Sequence, residues 1–485
     1  MSSTMQPDRS AAAARRPLSA VALGTAVLHT ALLGACSSLA PTYQRPAAPV
    51  PAQFDAAASA PAASASAPAA PLAWTDLVRD ERLRRLVQAA LTANRDLRVA
   101  ALNVQRAQAQ LGLAQADRWP TVNGVASAAR APNSQGKQTN TFQLGVQVSG
   151  WELDFFGRLQ SLDDAARASL LATEAGRRSA ELALVASVLT AERTLAADQA
   201  LLALAERTAI SRADTLRLTQ LRFDRGAASQ LERSSAQSLT SQADATLSQL
   251  RRQVAQDRNA LALLIGQAPA ADLLPTAQPA SAEAAAVPTL TDPFAPVPAA
   301  LESSVLLRRP DIVQAEQQLI AANANIGAAR AAFFPRISLT TSAGLVSNEL
   351  SNLLQAGNLA WILSSQALLT LFDHGRNQAN LEVAQVNRDI AVAQYEKALQ
   401  SAFRDTADAL AGQATWQDQL AALQRQRDAT RDIHRLTRLR HEQGAASELE
   451  RLDAERSLFS TEQALVQATL AEQLNRVGLW KALGG

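Results

Sequence analysis

A chain of 485 residues that is 47% hydrophobic but only 19% charged and 4% aromatic has the length of two or three domains without the large side chains that usually fill their cores. Its 46 basic and 44 acidic residues nearly cancel, so no electrostatic footprint for nucleic acid is present. One cysteine excludes an intramolecular disulfide framework and any cysteine-rich metal site.

Residues 1–35 have the build of a secretory signal: Arg15 and Arg16, a mostly apolar run from Leu18 to Leu33, then small residues. The run ends at Leu33-Gly34-Ala35-Cys36, which resembles a bacterial lipobox, and Cys36 is therefore the expected acylated first residue of the mature protein. That covalent lipid is the only attached group the sequence implies; it calls for no cofactor and no metal. Ser37 after the cysteine favours sorting to the outer membrane, by resemblance to bacterial lipoproteins. Residues 36–75 follow as a lipidated tether rich in Ala, Pro and Ser, a composition that buries too little apolar surface to fold alone. Beyond Trp74 no run of eighteen apolar residues occurs, so any membrane crossing must use strands.

The second half of the chain repeats the first at an offset of 215 and then 218 positions. Trp119-Pro120 is answered by Phe334-Pro335, and Gly157-Arg158 by Gly375-Arg376. From Leu221 to Arg233 and from Leu439 to Arg451, nine of thirteen positions are identical, centred on Gly226-Ala227-Ala228-Ser229 and Gly444-Ala445-Ala446-Ser447. The repeats occupy 76–267 and 301–485, joined by a Pro/Ala-rich linker over 268–300.

Each repeat opens with a helical stretch (76–117; 301–333) that stops at the aromatic-proline pair, because proline disfavours helical geometry in its predecessor. The period then changes to two. Phe142 to Ser149 and Ile337 to Leu345 alternate apolar with polar or small residues, and 121–129 and 359–371 do so less cleanly, giving four strands per chain. After Gly157 and Gly375 the helical pattern runs without proline to Phe223 and His441, a length of roughly 100 Å at 1.5 Å per residue. Alanine-rich stretches such as 164–168 predict close-packed seams. The scarcity of large side chains is then expected to reflect alanine-packed helices around water in place of a solid core.

Four strands cannot close a membrane barrel, and lipid forbids open edges, so several chains must share one. Strands at one end of very long helices, with a lipid anchor, describe a pore crossing the outer membrane and projecting into the periplasm. The order of these features, with Pro41-x-Tyr43-x-x-Pro46 and the paired Gly-x-x-Ser-x-Leu turns, resembles the TolC-like outer-membrane factors, in particular the NodT/OprM-type lipoprotein branch of RND efflux systems.

The resemblance implies a mixed α+β membrane protein: a homotrimer with a shared 12-stranded β-barrel that continues into a periplasmic α-helical barrel. Its partners would be a periplasmic adaptor and an inner-membrane RND transporter, with small molecules such as drugs leaving through the duct. It further implies that the turns holding Gly226, Ser229, Gly444 and Ser447 form the tip where the adaptor docks. Leu449, Asp453 and Arg456, five, nine and twelve residues after Gly444, match gate positions of related channels, with Glu450 as a second acid. Spacings of four and three let all three share one helix face, and threefold symmetry would make each a ring. Ser235 and Ser238 stand at the positions of Asp453 and Arg456 in the first repeat.

Enzymatic chemistry finds no support: His374, His434 and His441 have no metal-pair spacing, there is no Gly-x-Ser-x-Gly elbow, and no phosphate-binding loop occurs. His441 replaces Phe223 in the duplicated turn, which marks it as a packing residue. Two other readings share the long helices: the exit duct of a type I protein-secretion system, and a periplasmic coiled-coil lipoprotein without a pore. The alternating strands argue against the second; the lipobox favours small-molecule efflux over the first.

Overall fold

A computed structural model describes residues 38–54, 72–275, 290–297 and 302–485. The signal segment, Cys36 and parts of the tether and linker lie outside them. In chain order the elements are α1 (Trp74–Leu77), α2 (Glu81–Ala93), α3 (Arg95–Ala116), β1 (Val122–Pro132), β2 (Gln138–Leu153), α4 (Arg158–Asp224) and α5 (Gln230–Ile265). They continue with α6 (Pro310–Ala331), β3 (Arg336–Ser347), β4 (Leu359–Leu368), α7 (Arg376–Glu442) and α8 (Glu448–Ala482).

The duplication is visible in element lengths. Helices α3 and α6 both have 22 residues, α4 and α7 both 67, and α5 and α8 have 36 and 35. The expected single stretch over 76–117 is broken: Asn94 takes an extended backbone, and its Oδ1 accepts the N–H of Leu97 at 2.8 Å, capping α3 as α2 ends. Within α4, Ala165, Ala168, Ala172 and Ala175 are buried, the three- and four-residue spacing of the predicted alanine seam.

The chain forms two compact units. Of the described residues, the first comprises 38–43, 110–167 and 320–389, and holds an antiparallel sheet in the order β1-β2-β3-β4. Strand register sorts side chains by chemistry. Ala126, Leu144, Leu345 and Leu359 lie in one row across the sheet, Gly124, Val146, Ala343 and Trp361 in the next on that face. The opposite face carries rows such as Asn123, Gln147, Ser342 and Ile362, and Glu152, Ser338 and Gln366.

The apolar residues of β2 change parity, from Phe142-Leu144-Val146-Val148 to Trp151-Leu153. A bulge between Val148 and Trp151 absorbs the extra residue, so Trp151 and Leu153 pair with Leu339 and Ile337 and stay on the apolar face. Gly145 and Gly344 pair directly, and a Cβ on either would strike the other strand's backbone.

The second unit comprises 44–109, 168–319 and 390–485. Its core corrects the expectation that alanine replaces large side chains outside the strands. Phe54, Leu83, Leu86, Leu189, Leu195, Leu261, Phe294, Ile312, Tyr395 and Trp480 are all at most 2% exposed and belong to one cluster. At roughly 25 cal/mol per Å² of buried apolar surface, this cluster dominates the unit's hydrophobic stabilisation.

Segments with no regular structure complete it. Residues 293–295 pair with the chain around Val78 (Arg79 N to Pro293 O and Ala295 N to Leu77 O, both 2.8 Å). Ser303 N donates to Ala52 O at 2.9 Å, and Phe54 stacks on Phe403 at 4.7 Å. The described part of the tether is therefore docked by bonds that composition alone does not reveal.

Candidate functional site

Two places carry the chemistry a duct would need: the two-faced sheet, and the turns between the long helices. In the sheet, Arg130, Glu152 and Arg336 are the only charged residues in the four strands. Glu152 sits on the polar face and accepts from Arg158 at 2.7 and 2.8 Å and from Arg336 at 2.5 Å. On β4 the apolar face is open, with Leu359, Trp361 and Leu363 between 62% and 73% exposed. A sheet apolar on one side, polar on the other and unpaired at β1 and β4 suits a wall between lipid and water. Among the described residues no helix is long and apolar enough to cross a membrane.

The turns sit in the second unit. Helix α4 ends with Gly226 at φ 72° and α7 with Gly444 at φ 74°, the left-handed geometry glycine adopts without a Cβ penalty. In the first turn Gly226 N donates to Phe223 O (2.9 Å) and Ala227 N to Arg222 O (2.8 Å). In the second, Gly444 N donates to His441 O and Ala445 N to Arg440 O at the same distances. Ser229 and Ser447 then cap α5 and α8, each in a reciprocal capping box with Glu232 and Glu450. The Ser229 bonds outweigh the small effect of desolvation and hold the Glu232 carboxyl below its ordinary pKa.

The gate candidates follow on α8. Leu449 is 68% exposed, and Asp453 and Arg456 are exposed beside it, while Leu452, Ala454 and Glu455 turn inward. The face inferred from spacing therefore exists, and Arg456 Nη2 meets Asp453 Oδ1 at 2.8 Å. Glu450 has a local engagement: its carboxylate accepts the Ser447 N–H at 3.1 Å.

Sequence reasoning missed the network beneath this face. His441 Nδ1 stands 3.1 Å from Ala446 O and its Nε2 3.0 Å from Glu448 Oε2. Arg451 donates to both Glu448 oxygens (2.7 and 3.2 Å), to Glu455 at 3.3 Å and to Thr215 Oγ1 of α4 at 2.8 Å. Burial opposes the Arg451 charge, but the bonds to Glu448 and Glu455 hold its pKa above the ordinary arginine value. Burial pushes the nearby His434 down and Glu462 up. The signal available in the sequence was the replacement of Phe223 by His441 with an acid, Glu448, four residues after the glycine.

The first repeat builds differently. Arg233, at the position of Arg451, stacks its guanidinium 4.3 Å over the Phe223 ring. Deeper in the same helix pair, Asp198 of α4 lies against Asp257 of α5; desolvation and the facing carboxyl push the Asp198 pKa up from 3.8 to about 7. Asp257 Oδ2 is buried without a hydrogen-bond partner. His374 lies in the first unit at φ 56° with its ring edge-on to Phe372.

Comparison with known proteins places this geometry. The profile of the family described as "Outer membrane efflux protein" matches residues 86–267 and 301–485, the two repeats. The chain is 42% identical to the antibiotic efflux pump outer membrane protein ArpC of Pseudomonas putida, over 94% of this chain and 93% of that one. It is 38% identical to the cation efflux system protein CusC of Escherichia coli K12, over 92% and 96%. Among solved structures, the open state of the Neisseria gonorrhoeae MtrE outer membrane channel superposes with a TM-score of 0.81 at 35% identity, covering 93% of this chain and 98% of that one. The fold is that of the trimeric efflux channels, four strands from each copy completing one barrel that continues into long helices. The chain belongs to the outer membrane efflux protein family: it is an outer-membrane channel that serves as the exit duct of an efflux pump.

Proposed function

We propose that three copies form a passive duct for small molecules, handed over by a periplasmic adaptor and an inner-membrane RND transporter. Cys36, outside the described residues, carries the lipid that anchors each copy; two or three acyl chains at roughly 0.8 kcal/mol per buried methylene hold it firmly. The turns at Gly226-Ser229 and Gly444-Ser447 dock the adaptor, and rings of Leu449, Asp453 and Arg456 close the resting tunnel, with Glu450 adding charge while it caps α8. The observation that carries the gate is the single exposed face of α8 holding Leu449, Asp453 and Arg456 above a buried face of Leu452, Ala454 and Glu455. A leucine ring excludes water and a carboxylate ring disfavours anions, which suits a closed constriction with cation preference.

Relatives named for antibiotics and for cations match at similar identity, which supports a duct whose cargo is set by the pump it joins. The test is complementation. A strain lacking the chain should regain antibiotic resistance with the wild-type gene only when adaptor and transporter are present. Resistance restored without the transporter would refute the tripartite reading. Globomycin should block processing at Cys36, and processing that continues would remove the lipid anchor.

A further inference from the structure

The second turn has a property the first lacks. Nδ1 of His441 stands 3.1 Å from the Ala446 carbonyl, and its Nε2 lies 3.0 Å from the Glu448 carboxylate, a contact that is an ion pair only when the ring is charged. A neutral ring with its proton on Nδ1 keeps the bond to the carbonyl but leaves an uncharged nitrogen beside the carboxylate. Only the imidazolium both donates to the carbonyl and sets a positive charge against Glu448. We propose that His441 is a proton-operated latch on the second turn, closed when the ring is charged and released when it is neutral.

The surrounding charges are arranged for this. Glu448 lies between His441 and Arg451, and Arg451 continues to Glu455 and to Thr215 on α4. From α4 the facing cation is Arg212, 3.8 Å from Glu455. On α7 itself Arg440 donates to the Ala445 carbonyl at 3.0 Å and Glu442 pairs with Arg438 at 3.7 Å, so neither competes for the ring. Glu450 is taken by the cap on Ser447.

The latch thus spans from the turn carbonyl, through a carboxylate, to the neighbouring helix α4. Protonation adds the ion pair between the ring and Glu448, and deprotonation removes it. Because the ring charge is what engages Glu448, the second turn should become more ordered as pH falls. The first turn holds Phe223 under Arg233 at the matching place and has no titrating ring. The latch concerns the turn itself and stands independently of where the gate lies.

Hydrogen exchange on the intact purified channel tests it, with the first turn as the internal reference that removes the intrinsic pH dependence of exchange. The ratio of protection over residues 441–449 to that over 223–231 should rise several-fold from about pH 8 to about pH 5.5, the effect of gaining one partly buried ion pair. In His441→Phe, which copies the first repeat, and in His441→Gln the ratio should not move with pH. Glu448→Gln should reduce the response, and His434→Gln should keep it. A ratio flat with pH in the wild type, or an undiminished response in both His441 variants, would overturn the proposal.

Discussion

The two turns between the long helices share a backbone and differ in what their side chains do. Both place glycine near φ 73°, repeat the same two turn hydrogen bonds and close with a serine–glutamate capping box. Where side chains leave the turn, the first has a cation over an aromatic ring and the second a charged network of His441, Glu448, Arg451 and Glu455. Backbone punctuation is met by few residue types, so both copies use them. Side chains that leave the turn are free to diverge.

The largest test of this contrast is arginine truncation. Arg451→Gln leaves Glu448 and Glu455, both largely buried, short of their cation. The cost should approach the lower end of the roughly 3–5 kcal/mol seen when a buried pair loses one partner. Arg233→Gln removes only a cation–π contact, about 0.5–1 kcal/mol at an exposed site. Melting of the two variants in detergent checks the ordering; equal losses would mean that the second network is no stronger than the first contact.

The next test concerns conduction. On the proposed gate, Asp453→Ala should raise single-channel conductance several-fold in planar bilayers and increase antibiotic leak, because it would remove a ring of charge and free Arg456 from its 2.8 Å partner. Ser235→Ala, at the matching place on α5, should leave conductance unchanged. Unaltered conductance in Asp453→Ala would remove that residue from the gate.

Much of this contrast was legible before any coordinates. The duplication, the two strands per repeat and the glycine and serine of each turn all follow from local rules of period and capping, and the structure has them. The parity change between Val148 and Trp151 was also in the sequence, but its resolution needed the partner strand. Long-range engagements were out of reach. Nothing local says that Phe54 stacks on Phe403, or that residues 293–295 pair with the chain around Val78. Arg451 and Thr215 lie far apart in sequence, and only packing brings them within 2.8 Å. That Leu449, Asp453 and Arg456 share one exposed side of α8 was predictable because spacings of three and four fix a helix side; the buried network behind it depends on α4.

The same logic extends to a pH test deeper in the helix pairs. Asp198 and Asp257 are answered in the second repeat by Trp416 and Asn475, and Asn475 donates to Ala409 O at 2.9 Å. With the Asp198 pKa raised from 3.8 to about 7, the folded state holds more protons than the unfolded chain across that window. Stability from this pair is therefore greatest at acid pH and is lost as pH rises through about 7. Asp257→Asn, which imports the second repeat's residue, should flatten the fall in melting temperature between about pH 5 and pH 8. A fall as steep as in the wild type would mean that the two carboxyls do not share a proton.

The smallest effect asks whether the shared part of the turns is shared in energy as well as in geometry. Ser229→Ala and Ser447→Ala each remove an oxygen that accepts from the third helical residue, at 3.1 and 3.2 Å respectively. Each loss should cost about 1 kcal/mol. Both serines are exposed, and both boxes retain the glutamate end, so the two costs should agree within a few tenths of a kcal/mol on the additivity expected of distant sites. A distinctly larger loss for Ser447→Ala would show that its cap is coupled to the His441 network, since Glu450 and Glu448 stand on the same first turn of α8.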